Sequence, residues 1–404
     1  MTTIYLKNHK EESLLRFHPW VFSGAIAKID GSPKEGEVVR VATLDGQTLG
    51  VGHWQEGSIS VRILDFQETS IDNNFYYNRI FNAYKMRCQL GLVRYQEGKE
   101  RNDTYRLIHG EGDFLPGLIV DVYNDTAVVQ AHSAGMHIDR QTIANAIIKA
   151  VKEVNNVYYK SEGTLPLKKN FNDIHDGWLI PPQEDAKEYI GTENGLKFSI
   201  DWLNGQKTGF FVDQRENRSL VEQYSLNKRV LNMFCYTGGF SVYAIRGGAK
   251  EVHSVDSSQI AVDLVNKNIY QNFPDKTNYK SFGEDAFRFL DNIPGKGAEN
   301  AYDLIILDPP AFAKHRSAIK NALQGYKRLN AKAFEKIASG GILFTFSCSQ
   351  AIDKEMFRLA VFSAAAISKR KVKILHQLHQ PKDHPISIYH PEGEYLKGLV
   401  LYVE

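Results

Sequence analysis

Asp308 and Cys348 are the residues of this chain whose types and surroundings most suggest chemistry. Each ends an apolar, β-branched run of strand length, YDLIILDPPAF from Tyr302 and GGILFTFSCSQ from Gly340. Such runs read as buried parallel strands that deliver their last side chains to the carboxyl edge of a sheet. That edge is where open α/β sheets bind ligands. One strand delivers Asp308 with Pro309, Pro310 and Phe312, and the other delivers Cys348 between two serines. A carboxylate, a thiol and a rigid aromatic wall at one edge suit chemistry on a flat ring.

The elements that must position this edge start near Arg229, where strands and helices alternate as in a doubly wound parallel sheet. The strand VLNMFCY ends in Thr237, Gly238 and Gly239, and the helix FSVYAIRGG follows. A second strand, EVHSVDSS, ends at Asp256, a helix spans Ile260 to Gln271, and a third strand ends at Asp285. An acid after the second strand is the common partner of a ribose diol, although TGG is not the GxGxxG of dinucleotide folds. Upstream, NGQKTG runs into a helix that begins near Asp213, which could serve as its N-cap. The same helix start could receive a carboxylate.

Residues 1–70 alternate short β-rich pieces with Gly turns and suggest a small β-barrel. Residues 71–185 suggest a central α/β domain. It has a helix from about Ile71 to Lys99, two strands joined by a turn at Asn124 and Asp125, a helix from about Asp139 to Lys152, and an irregular linker. The GEGD run at Gly110 lacks phosphate-loop spacing and reads as a turn, with His109 and Glu111 as possible functional loop residues. Residues 186–404 make the third domain, closed by LKGLVLYVE as an edge strand.

At 404 residues two or three domains are expected, and 43% apolar with 24% charged residues is an ordinary globular composition. Neither an apolar leader nor a run of membrane-spanning length is present, so a cytoplasmic protein without membrane contact is expected. Cys88, Cys235 and Cys348 have no zinc-type spacing and are expected to be free, with Cys88 and Cys235 in packing roles. His376, His379, His384 and His390 read as loop or substrate-facing residues, and no metal is expected.

Net charge is only +2, but fourteen Lys and Arg against three acids fall between Phe312 and Lys382. That concentration beside the reactive edge favours a phosphate-rich substrate. Arg79 to Arg106 is a second basic stretch.

Glycine turn, Asp256, Asp285 and DPP occur in the order found in class I S-adenosylmethionine methyltransferases. In that layout the turn accommodates the methionine end, Asp256 the ribose and Asp285 the adenine amine, with Thr237 to Gly239 replacing the usual glycine motif. The motifs KTGFFVDQR, FCYTGGFSVYA, SVDSS, LDPPAF and FSCSQ, after a PUA-like start at HPWVFSGAI, extend the likeness. From about His18 to Val403 the chain resembles the bacterial 23S ribosomal RNA large-subunit methyltransferase I family, which makes 5-methylcytosine.

The resemblance implies a PUA-like RNA-binding barrel, a central α/β domain and a Rossmann-like methyltransferase domain with a mostly parallel sheet. It implies S-adenosylmethionine as cofactor, held by Lys207, Gly209, Asp213, Gln214, Phe234, Thr237, Gly238, Gly239, Asp256, Ser257, Asp285 and Asp308. The implied partner is 23S ribosomal RNA, and a monomer or homodimer is expected. Cys348 is implied as the nucleophile that adds to cytosine C6 and makes C5 nucleophilic. Asp308 is placed to bond N3 or the exocyclic amine, and Pro309, Pro310 and Phe312 to wall the base. Two readings compete: methylation of a guanine nitrogen, which needs no thiol, and a non-catalytic RNA-binding assembly protein.

Overall fold

The Gly-punctuated opening becomes a six-stranded sheet in the computed structural model, which describes residues 1–93, 102–166, 171, 173–184, 188–313 and 315–404. Its strands are β1 Thr3–Leu6, β2 Trp20–Phe22, β3 Ile26–Asp30, β4 Val38–Ala42, β5 Thr48–Trp54 and β6 Ile59–Asp65, with the short helix α1 Glu12–Leu15. The spatial order is β2-β6-β5-β4-β1-β3, so β2 and β3 are consecutive in sequence yet lie at opposite ends. Only Ser23–Ala25 joins them. Four Cα steps reach ~14 Å, whereas five flat strand spacings need ~24 Å, so the sheet must curl into a barrel-like form. Ile4, Leu6, Val21, Val39, Val41, Val61 and Ile63 fill its core.

The helix expected to reach Lys99 is α2 Asn73–Gln89, capped by Asp72, whose side chain accepts from the Asn74 and Phe75 N–H groups. Lys99 itself lies outside the described residues. Three strands follow rather than two: β7 Thr104–His109, β8 Leu118–Tyr123 and β9 Thr126–Ala131, with the GEGD run forming a 3-10 turn between the first pair. Asn124 turns the second hairpin at φ 56°, a left-handed conformation that Asn tolerates well.

The helix expected from about Asp139 is α4 Arg140–Ala150, and a short helix, α3 Ala134–Ile138, precedes it. Asp139, between the two, accepts from the buried Tyr76 hydroxyl at 2.5 Å. β10 Asn156–Tyr159 leads into the region read as a linker, which contributes β11 Gly177–Ile180, and the sheet order is β11-β10-β9-β8-β7. Next come β12 Ile190–Glu193 and β13 Leu196–Ser199.

The remaining elements are α5 Arg215–Tyr224, β14 Arg229–Met233, α6 Gly239–Arg246, β15 Glu251–Asp256, α7 Gln259–Asn272, β16 Tyr279–Gly283 and α8 Ala286–Asn292. They continue with β17 Tyr302–Leu307, α9 Ile319–Lys336, β18 Ile337–Ser347, α10 Lys354–Ile367, β19 Val372–His379 and β20 Lys397–Val403. The sheet order is β16-β15-β14-β17-β18-β20-β19. β14 to β18 are parallel; β14, β15, β17 and β18 are buried, whereas β16, YKSFG, has no fully buried residue, as suits the strand at the sheet's end. The chain winds outward from β14 to β16 and returns to β17, so a switch point lies at the carboxyl ends of β14 and β17.

LKGLVLYVE corrects one expectation. β20 is not the edge: it pairs antiparallel with β18 on one side and β19 on the other, and VKILHQLH forms the edge. Five consecutive buried residues, Lys397 to Leu401, are the physical sign of an interior strand.

Two compact units divide the chain. The first comprises Met1–Gly195, Ile200–Val212 and Lys382–Gly393, and the second Leu196–Ser199, Asp213–Pro381 and Glu394–Glu404. Among the described residues no helix is long and apolar enough to cross a membrane.

Candidate active site

In the second unit β17 and β18 pair in register, Leu307 opposite Thr345. β17 stops at Leu307 because the next residues are Asp308 and two prolines, which have no N–H to extend the ladder. Asp308 accepts a hydrogen bond from Gln214 Nε2 at 3.1 Å, and Gln214 Oε1 accepts from Asn217 Nδ2 at 2.6 Å. β18 stops at Ser347, and the half-buried Cys348 follows with Sγ 4.0 Å from the Pro309 carbonyl oxygen. The thiol and the DPP segment, 39 residues apart in sequence, are therefore neighbours.

Hydroxyl groups tie the two strand ends together. Tyr326, fully buried on α9, is within 2.9 Å of Ser347 Oγ and 3.0 Å of Ser349 Oγ, and Ser349 Oγ accepts from the Ala313 N–H. The Tyr326 ring also packs on Phe312, with centroids 4.6 Å apart. Gly325 makes room for that contact, since a Cβ there would stand 3.0 Å from the Phe312 ring. Pro309 is buried, Phe312 half-buried and Pro310 exposed, so the aromatic wall is supported from behind.

The other thiols differ. Burial, aided by the Asp256 carboxylate, pushes the Cys235 thiol well up, and burial also raises that of Cys88 in the first unit. Both are poor sources of thiolate.

On the cofactor side, the turn after β14 is tightly wound: Phe234, Tyr236 and Gly238 all have left-handed φ values of 58°, 45° and 79°. Gly238 is further constrained, since a Cβ would meet Val265 of α7 at 2.9 Å. Buried Thr237 lends its carbonyl to Asn268 Nδ2 at 2.8 Å, and a Cβ at Gly239 would meet the Arg218 side chain at 2.9 Å. Asp256 accepts from the Tyr236 and Ser258 N–H groups, both at 3.0 Å, which fixes its carboxylate at the end of β15. Ser257 beside it is exposed.

Two expectations need correction here. Asp213 is not the N-cap of α5; that position is Gln214, and Asp213 accepts from the Tyr395 hydroxyl at 2.6 Å. Asp285 does not end the third strand, which stops at Gly283, but caps α8 by accepting from the Arg288 N–H at 3.0 Å.

Lys207 and Gly209 belong to the first unit. Lys207 lies over the Phe211 ring at 4.7 Å, and Gly209, at φ 107°, passes close to the Asp201–Trp202 backbone. Among the second-unit candidates, acceptor carboxylates stand beyond three parallel strands: Asp256 after β15, Asp285 after β16 and Asp308 after β17. Such a row of acceptor carboxylates fits a ligand offering ribose hydroxyls, an adenine amine and a positive sulfonium.

The histidines are mostly structural. His376 Nε2 is 2.8 Å from the Tyr224 hydroxyl, His384 is buried beside Asp383, and His390 is buried against the Trp20 ring at 4.4 Å. His384 and His390 are thus loop residues, as expected, whereas His376 and His379 lie on the strand β19. Among the described residues His18, His390 and Glu392 are grouped closely enough to hold a cation. His18 Nδ1, however, accepts from the Trp20 N–H, which leaves its proton on Nε2, facing Glu392 at 3.5 Å.

Tyr326, Tyr395 and Lys397 escaped the reading of the sequence. Lys397, 5% exposed, donates from Nζ to the carbonyls of Ser349 and Tyr395, each at 2.7 Å. A lone lysine heading an apolar run was the available signal, hidden by the edge assignment.

Residues 167–389 match the S-adenosylmethionine-dependent methyltransferase family and residues 4–66 match a PUA-like domain. In fold the whole chain is similar to a Streptococcus mutans protein described as an S-adenosylmethionine-dependent methyltransferase, with TM-score 0.82, 21% identity and full coverage of both chains. It is equally similar to SMU.776 complexed with SAH, with TM-score 0.83, 21% identity and full coverage of both chains. The class is therefore that of S-adenosylmethionine-dependent methyltransferases carrying a PUA-like domain, and S-adenosylmethionine is the cofactor.

Finer identity comes from two relatives named Ribosomal RNA large subunit methyltransferase I. The one from Aeromonas hydrophila subsp. hydrophila is 39% identical over 99% of this chain and 98% of its own. The one from Tolumonas auensis is 40% identical over 99% of both. The chain belongs to the ribosomal RNA large subunit methyltransferase I family.

Proposed function

We propose that this methyltransferase makes 5-methylcytosine in 23S ribosomal RNA through a covalent bond between Cys348 and cytosine C6. The contact of Cys348 Sγ with the Pro309 carbonyl oxygen carries the reading, because it puts the one half-exposed thiol of the second unit beside the DPP segment. Cytosine C5 is a poor nucleophile until a thiolate adds to C6, after which C5 has enamine character and can accept an alkyl group. S-adenosylmethionine supplies an electrophilic methyl on a positively charged sulfur. Loss of the C5 proton to a base then expels the Cys348 thiolate and restores the ring.

Asp308, oriented by Gln214, is assigned to accept from the exocyclic amine and stabilise charge during addition. Pro309, Pro310 and Phe312 are assigned to hold an unstacked base. Asp213, Gln214, Phe234, Thr237, Gly238, Gly239, Asp256, Ser257 and Asp285 are assigned to the cofactor, with Asp256 on the ribose. Lys207 and Gly209 are assigned by their motif alone. Ribosomal RNA as substrate follows the names of the full-length relatives and the basic Phe312–Lys382 segment.

Cys348→Ala is expected to abolish methyl transfer while S-adenosylmethionine still binds, read by nucleoside mass spectrometry and calorimetry. Unchanged turnover, or a methylguanosine product, would refute the carbon mechanism.

A further inference from the structure

Lys397 opens β20 directly across from Ser347, the last residue of β18. Its aliphatic stem is buried, and its ammonium group grips two carbonyl oxygens, that of Ser349 just past the thiol and that of Tyr395. Tyr395 in turn gives its hydroxyl to Asp213. One buried cation therefore fastens the turn that carries Cys348 to the segment that holds a carboxylate of the KTGFFVDQR motif. A buried ammonium is costly, and an interior strand has cheaper ways to satisfy two carbonyls.

We infer that Lys397 is a positioning residue for Cys348: its ammonium group fixes the turn bearing the thiol and stabilises the thiolate. The charged and titratable groups acting on it are Cys348, Glu394, Asp353 and Lys354, while Tyr326 faces Cys348 from α9. Glu394 is itself paired with Lys354. Burial brings the Lys397 ammonium down to about 8, opposed by Cys348, so it is largely protonated at neutral pH. An ammonium group bonded to the carbonyl of Ser349, one residue past the thiol, then favours the thiolate.

The inference rests on the proposed function for its catalytic meaning, but its test does not. Alkylation of Cys348 by iodoacetamide, read site by site by peptide mass spectrometry across a pH series, reports the thiol's own titration. Lys397→Met is expected to raise the midpoint by about one pH unit and slow alkylation at neutral pH about tenfold, while Lys397→Arg returns it toward wild type. A lysine that merely satisfies two carbonyls would leave the midpoint unmoved in the folded methionine variant, and that result overturns the inference.

Cooperative thermal unfolding identifies folded variants. If neither variant folds, the wild-type protein decides: Cys348 must titrate below the ordinary cysteine value and below Cys88, and a midpoint at or above that value overturns the inference. A shifted midpoint with Cys348→Ala still methylating RNA refutes the proposed function alone; an unmoved midpoint with an inactive alanine variant refutes this inference alone.

Discussion

Burial removes Cys235 from play and raises the thiol of Cys88, yet Cys88 is as half-buried as Cys348; what sets Cys348 apart is its place directly after a strand, beside the DPP segment. Cys348 and Asp308 were legible in the sequence because each directly follows an apolar strand, so strand and functional residue share one local pattern. Lys397 was not, since its burial depends on which strands flank it, and that is a property of pairing over a distance of about fifty residues. Single residues also set a pH response. His253 on β15, buried and 2.6 Å from the Tyr302 hydroxyl, has its imidazole pushed down by burial, opposed by Glu251. Its folded form is neutral, so stability is fully present above about 6.5 and falls as the pH drops and the unfolded chain binds the proton. His253→Gln is expected to flatten that acid-side decline, measured as urea midpoints at neutral and mildly acidic pH.

Among elements, β20 matters most. Gly398 sits between Phe346 of β18 and Leu378 of β19, and a Cβ there would stand 2.6 Å from the Phe346 ring, which is fully buried and cannot retreat. Gly398→Ala is expected to cost about 1–3 kcal/mol by overpacking, lowering the thermal midpoint by about 2–4 °C per kcal/mol in a domain of this size. Because Gly398 adjoins Lys397, methyl transfer should fall with it. The alternating strands and helices from β14 to β18 were readable because parallel strands are continuously apolar and helices are periodic. The strand Gly177–Ile180 was not, because pairing with β10 creates it.

At the scale of the molecule, charge divides unevenly, and the two basic stretches prove unlike. In Arg79 to Arg106, Arg87 is fully buried and doubly bonded to Asp113, Arg106 is paired with Asp121 and Arg79 with Asp65. Of the described positive residues there, Lys85 is the exposed one, and Arg94, Lys99 and Arg101 lie outside the described residues. Sequence shows charge but not its partners, which is why this stretch read simply as a second basic one. In Phe312 to Lys382, Arg316 and Lys320 are exposed. Replacing both with Gln is expected to weaken RNA binding and reduce the slope of log K against log salt by about 0.7 per contact, measured by fluorescence titration; an unchanged slope would place the RNA elsewhere. The placement of β20 also bears on how the chain acquires this shape. β19 is synthesised before β20 yet has β20 as its sheet neighbour, so until residues 397–403 insert, Ile374 and Leu375 lie on a strand with nothing to pair with, and β18 keeps a bare edge. The sheet closes by a late, non-local event, and during that interval the nascent protein is most exposed to strand-mediated aggregation.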